Sequence, residues 1–203
     1  MTSAVLIALG LLHAVSNTDT SWTLVKTGNG VAVWNRPAPG SSLDAFRGVG
    51  RDTVDIDFVE TILRDLPGCP RWVPYLAESR GVRHIDADHF LVYQLYALPW
   101  PFSDRDIVVE IHVHRDDSLG MVRASMKAAA DPAMPPIDGR VRLTDMDGEI
   151  QLRRLGPRLT EGQYTERLNL GGSVPSSINH LIAQEIPARI LVNLRAECER
   201  RKR

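Results

Sequence analysis

The stretch Pro99-Trp100-Pro101-Phe102-Ser103-Asp104-Arg105-Asp106 runs straight into residues 107–115, and this junction decides the fold. The two prolines break regular structure ahead of the run, and aromatics set between prolines suit a loop that covers something. From Ile107 the periodicity is two. Ile107, Val109, Ile111 and Val113 fall on one face; Glu110, His112 and His114 fall on the other. Such a strand belongs in an antiparallel sheet with one side covered.

Other strand signals surround it. Residues 22–26 and 31–36 flank Thr27-Gly28-Asn29-Gly30, a hairpin turn in which glycine supplies positive φ. Residues 43–51 read as a third strand. Residues 82–85 and 90–98 flank the turn 86–89, and residues 121–127, 140–144, 149–155 and 163–170 add further strands. Between them, residues 128–139 form a proline-containing loop.

Two helical patterns interrupt and end this series. Ile56, Val59, Ile62, Leu63 and Leu66 recur at helical spacing, with Asp55 or Asp57 placed to cap and Pro67-Gly68 to stop. Residues 71–77 suggest a second short helix broken by Pro74. After the turn Gly171-Gly172-Ser173-Val174-Pro175, a long helix over residues 175–200 carries the stripe Ile178, Leu181, Ile182, Ile186, Ile190, Leu191 and Leu194, with Pro187 inside it. The class is α+β: an antiparallel sheet, one or two helices inserted after strand three, and a long closing helix that must bury its stripe on the sheet. A curved sheet holding one helix leaves a cavity, and apolar walls point to a greasy ligand.

Composition bounds the function. The 203 residues allow one sizeable domain, and 43% hydrophobic with 24% charged residues is ordinary for a globular chain. A formal net charge of −1 argues against nucleic acid as a partner. Cys69 and Cys198 fit no metal or redox spacing and read as two separate thiols. The apolar run of residues 4–14 is too short to span a bilayer but suits a signal-peptide core, with Ala14-Val15-Ser16 offering small residues for cleavage and no Lys or Arg ahead of the run. The expectation is a signal-like segment over 1–16 and a ligand-binding domain over 17–203. That places the protein in the periplasm or outside the cell, with the cytoplasm as the alternative.

Catalytic motifs are sparse. There is no G-x-S-x-G and no phosphate loop. His112 and His114 form a His-x-His on a polar strand face, read as a solvent-facing pair and not as metal ligands; no cofactor is implied. Arg105 between Asp104 and Asp106 reads as an ion-pair staple at the strand entrance. Glu166 and Glu185 are the carboxylates to test for an inward role. The tail from Arg195 carries five basic and two acidic residues, suited to an anionic surface or to a solvated helix end.

The order of elements resembles the START family of lipid-transfer domains. The likeness covers residues 22–202. It rests on Trp72 after the first internal helix, Arg105-Asp106 opening a strand, and Gly172-x-x-Pro175 before Ser177-Ile178-Asn179. It implies the helix-grip fold and an internal tunnel for one lipid or other apolar molecule, with the last helix and a neighbouring loop as lid. It also implies a non-enzymatic monomer that makes transient membrane contact. Set against the family pattern, Val92, Gln94 and Tyr96 turn inward with Val109 and Ile111 opposite. Trp100 and Phe102 form the lid loop, and Ile178, Leu181, Ile182 and Glu185 contribute from the helix. Sterol-binding members carry a buried acidic-basic pair where this chain has Val92 and Ile111. Ligand orientation would therefore fall to Gln94, Tyr93 or Tyr96. The alternative is an enzyme on the same scaffold, cyclase- or hydrolase-like, acting on a hydrophobic substrate.

Overall fold

A computed structural model describes residues 21–41, 43–171 and 176–202, with residues 176–184 described by their backbone alone. The N-terminal apolar run and the turn at 172–175 lie outside the described residues.

The first strands are β1 (Thr23–Gly28), β2 (Val31–Arg36) and β3 (Ala45–Asp52). Helix α1 (Ile56–Arg64) follows; the Asp55 side chain caps it by accepting from the Asp57 backbone N–H at 2.9 Å, and Ile56, Val59 and Ile62 form its buried face. A short 3-10 turn covers Leu66–Arg71. Then come β4 (Leu76–His84), β5 (His89–Tyr96), β6 (Arg105–Asp116), β7 (Met121–Ala129), the two-residue β8 (Val141–Arg142), β9 (Met146–Gly156) and β10 (Leu159–Leu168). Helix α2 (Ser176–Arg201) closes the chain.

The strands form one sheet in the order β1-β2-β3-β10-β9-β7-β6-β5-β4, antiparallel throughout, with β8 added parallel to β6. Its two halves meet where β3 pairs with β10, so the third and last strands lie side by side and the chain between them builds the rest of the sheet.

Two sequence expectations change. Residues 71–77 are not a helix: Pro67 and Pro70 restrict the preceding segment to a single 3-10 stretch, and β4 already begins at Leu76. Residues 140–144 shrink to β8, because Arg140 and Arg142 turn to hold neighbouring side chains and loop carbonyls.

Helix α2 lies across β2, β3 and β10 on the inner face, and glycine makes this possible. A Cβ on Gly48 would meet Leu191 Cδ1 at 3.1 Å and Pro187 Cβ at 3.3 Å. Pro187, expected as a kink, is thus a contact point where the helix approaches β3. Val31, Val33 and Leu191 pack beside it, while Ile190 and Leu194 join the core formed by α1, Trp72 and Leu152.

The basic end of α2 is tied to the domain by ion pairs, with Glu199, Arg200 and Lys202 exposed. Glu197, 4% exposed, accepts from Arg71, Arg200 and Arg201 at 2.7–3.0 Å. Arg201 also pairs with Asp65, and Arg195 with Asp52. The hydrogen bond from Arg200, with those from Arg201 and Arg71, outweighs burial and holds the Glu197 carboxyl far below its ordinary range. This network fastens the helix end to the 3-10 turn and to β3.

Candidate functional site

Between α2, the 3-10 turn and the inner faces of β5, β6, β7, β9 and β10 lies an enclosed cavity of about 280 Å³. Strand alternation sets its wall. From β5 come Phe90, Gln94 and Tyr96; from β6, Arg105, Ile107, Val109, Ile111 and Val113. Trp72, Ile186 and Ile190 close the opposite side, and Tyr75, Leu98, Pro99 and Phe102 stand at the loop end. A larger groove of about 580 Å³ crosses the outer face beside Trp22, Arg36, Arg47 and His112, but it is more open and lined mainly by charged and polar residues. Among the described residues, the inner cavity is the one that combines a recessed position, apolar walls and few polar groups, as small-molecule sites do.

Of the residues expected to meet a ligand, Gln94, Tyr96, Phe102, Val109 and Ile111 border this cavity. Val92 does not. It is fully buried, shorter than its same-face neighbours Phe90 and Gln94, and is absorbed into packing against Val109. Trp100 points away from the cavity and is 92% exposed. Glu185 pairs with Lys26 of β1 rather than facing the wall. The side chains of Ile178, Leu181 and Ile182 lie outside the described residues. Tyr93 falls on the outer face, one residue out of phase with Gln94.

Two polar pairs interrupt the apolar wall. Tyr96 donates to the amide oxygen of Gln94 at 3.0 Å, which leaves the amide N–H groups for another partner. Tyr164 donates to Glu166. Burial pushes the Glu166 carboxyl up to about 7, against the lowering effect of the Tyr164 hydrogen bond. The area that Glu166 keeps accessible faces the cavity and not bulk water, so it titrates as a buried group.

Arg105 and Asp106 do not staple one another. Consecutive strand residues point to opposite faces, so Arg105 enters the cavity wall while Asp106 points outward. Arg105 is 4% exposed and donates to the Ser103 carbonyl, but its Nε has no hydrogen-bond partner. Burial lowers its pKa. Trp72, also in the wall, likewise has a buried Nε1 without a partner. The parity of Arg105 with Ile107 was visible in the sequence and would have placed it inward.

Asp106, fully buried, receives two hydrogen bonds from Arg142 at 2.9 Å and one from Tyr93 at 3.2 Å. Burial alone would raise this carboxyl; Arg142 overcomes it and holds the group below the usual range. Arg142 also donates to the Met134 and Pro135 carbonyls at 2.8 and 3.1 Å, fixing the proline-containing loop over the outer face.

Tyr75 at the cavity mouth was not foreseen. Its φ of +63° is unusual for a bulky residue, and Arg189 of α2 lies 5.6 Å from its ring centroid. Only the proline before it hinted at a special backbone.

A curved antiparallel sheet around an apolar cavity under a C-terminal helix defines a helix-grip protein. The START domain family model matches residues 10–202, and the chain belongs to that family. It is 30% identical over 181 residues to the "Uncharacterized protein PA1579" of Pseudomonas aeruginosa, covering 89% of this chain and 88% of that one. The solved STAR-related lipid transfer protein fragment from Xanthomonas axonopodis superposes with a TM-score of 0.79 at 28% identity, covering 88% of this chain and 99% of that one. Human StAR-related lipid transfer protein 5 superposes at 0.83 with 20% identity, covering 91% and 89%; at that identity the likeness is one of fold.

Proposed function

We propose that this chain binds one apolar small molecule carrying an oxygen acceptor, and serves as a carrier or sensor rather than as an enzyme. The carrying observation is the enclosed apolar cavity in whose wall Arg105 and Trp72 each retain a buried donor without a protein partner. Such donors are costly when left unpaired, on the order of 1–3 kcal/mol each, and a hydroxyl, carbonyl or carboxylate on the ligand would pair with them once either side chain turns toward the cavity. A volume of about 280 Å³ is near the lower end of small-molecule sites, which supports a compact or single-chain ligand over a two-chain phospholipid. The lack of an inward acidic-basic pair at Val92 and Ile111 fits orientation by Gln94, Tyr96 and these donors.

The loop at 99–103 divides two tasks. Phe102 borders the cavity and closes it, while exposed Trp100 is free to enter a membrane interface, where indole rings sit well. That division supports a chain that visits membranes to exchange cargo.

Mass spectrometry of an organic extract of the purified chain tests the reading. The expected result is one oxygen-bearing, compact or single-chain species near stoichiometric amount. A clean extract, together with no uptake of long-chain alcohols, fatty acids or sterols, would overturn it. The specific observation behind a second, enzymatic reading is Glu166: a cavity carboxyl titrating at about 7 suits general acid-base work. Under that reading the extracted molecule is turned over, and Glu166→Gln abolishes turnover while retaining the bound mass.

A further inference from the structure

The outer face of β5 and β6 carries a constellation outside the cavity. His89 and His112 stand directly opposite one another in the antiparallel register, their rings stacked at 3.7 Å between centroids and 24° between planes. Glu110, two residues before His112, shares that face. Its Oε1 lies 2.7 Å from His89 Nε2 and 3.6 Å from His112 Nε2, and the three donor atoms fall within 4.8 Å of one another. Among the described residues no other three His, Cys, Asp or Glu side chains converge in this way. The sequence reads His112 and His114 as a solvent-facing pair and not as metal ligands; it is Glu110, two residues before His112, that approaches it. The cross-strand partner His89 makes the cluster.

We propose that His89, Glu110 and His112 form a binding site for a divalent transition-metal ion of the zinc, cobalt, nickel and copper class. Bonds of roughly 2.0–2.2 Å from nitrogen and oxygen place neighbouring donors roughly 3.0–3.4 Å apart. The observed 2.7 and 3.6 Å bracket that spacing, so closing on an ion takes side-chain rotation and no movement of the paired strands. Two imidazoles select transition metals over calcium or magnesium, and one carboxylate leaves positions open to water. Lys127 lies opposite Glu110 on β7 and is the competing cation, but it also lies opposite Asp147 of β9, an alternative partner. Both cysteines are buried free thiols raised to about 11 and offer no rival thiolate.

The site sits back to back with the cavity. His89 precedes Phe90, and His112 lies between Ile111 and Val113, all three of which border the cavity from the other face. An ion bound here clamps β5 to β6 behind the wall.

The test uses the full chain without an added histidine tag. Cobalt(II) is followed by its visible absorption and zinc by calorimetry, with amide exchange across β5 and β6 measured with and without zinc. One ion should bind per chain and slow exchange in these strands. His89→Gln and His112→Gln should each weaken binding by about 10-fold or more, while His114→Gln leaves it unchanged. His112 is exposed, so its variant tests binding with little burden on folding. No binding at millimolar zinc, or binding that survives His89→Gln and His112→Gln, would overturn the proposal. So would an equal loss in His114→Gln.

Discussion

The two faces of β5 and β6 are made from alternate residues of the same strands, yet they obey opposite rules. The inner face presents Gln94, Arg105, Val109 and Ile111 to enclosed space; the outer face packs Tyr93, Asp106 and Val108 beneath Met134 and Arg142. On the outer face Asp106 is saturated by Arg142 and Tyr93. On the inner face several polar groups are not: Arg105 Nε lacks a partner, and Gln94 uses only its oxygen. The difference separates a face that supports the fold from one that awaits cargo. Carboxyl groups show it too, with Asp106 and Glu110 of β6 shifted down outside and Glu166 of β10 shifted up in the cavity wall.

Breaking the outer face should cost most. Asp106→Ala leaves Arg142 without its buried partner and frees the loop that Arg142 pins, so urea denaturation should show a loss of about 3–5 kcal/mol. The sign of the pH effect follows from the lowered pKa. Asp106 contributes stability at neutral pH that disappears as pH falls through its folded value, and the variant should lose that acid-side dependence. A loss below about 1 kcal/mol would mean that the ion pair does not hold the loop.

A matched pair of insertions sharpens the contrast between filled and hollow. Val108 is fully buried in the outer packing, and Val108→Trp should cost about 3 kcal/mol or more through overpacking. Ile111, three residues along on the cavity side, has room. Ile111→Trp should change stability by less than about 1 kcal/mol while displacing the extracted ligand. Equal costs at the two positions would show the inner face to be as solid as the outer.

Glu166 tests the inner face by titration. Its folded value of about 7 exceeds the ordinary 4.5, so the folded state binds this proton more tightly than the unfolded chain does. Its contribution is complete below about pH 4.5 and is lost as pH rises through about 7. Glu166→Gln should therefore stabilise the protein at pH 8 by about 1–3 kcal/mol and flatten the profile between these values, as thermal melts can follow. A destabilised variant would mean that the carboxylate form is held by an interaction stronger than burial.

Periodicity made the sheet, α1 and the closing helix legible, because alternation along residues 107–113 and the stripe on α2 are local properties of the chain. The family resemblance put Gln94, Tyr96, Val109 and Ile111 on the cavity side, where they stand. What the sequence could not supply was cross-strand register and reach. His89 meets His112 only through β5–β6 pairing, Asp106 finds Arg142 across 36 residues, and the arginines at the end of α2 find Asp65 and Asp52 from far along the chain. Val92 shows a further limit: it shares parity with Gln94, but whether a short side chain borders space or is overgrown depends on neighbours of unequal length.

The smallest stability effect should come from the most exposed large side chain. Trp100 is 92% exposed on a loop whose next aromatic, Phe102, borders the cavity, so the loop repeats the contrast of β5 and β6 over two residues. Trp100→Ala should leave stability within about 0.5 kcal/mol, since little packing is lost. Phe102→Ala should instead weaken ligand retention by opening the mouth. If the indole docks on membranes, co-sedimentation with phospholipid vesicles should fall in Trp100→Ala and remain in Phe102→Ala, while loss of extracted ligand shows the reverse order. Identical behaviour of the two variants in both assays would mean that the loop acts as one cap, and membrane contact would then have to come from another surface.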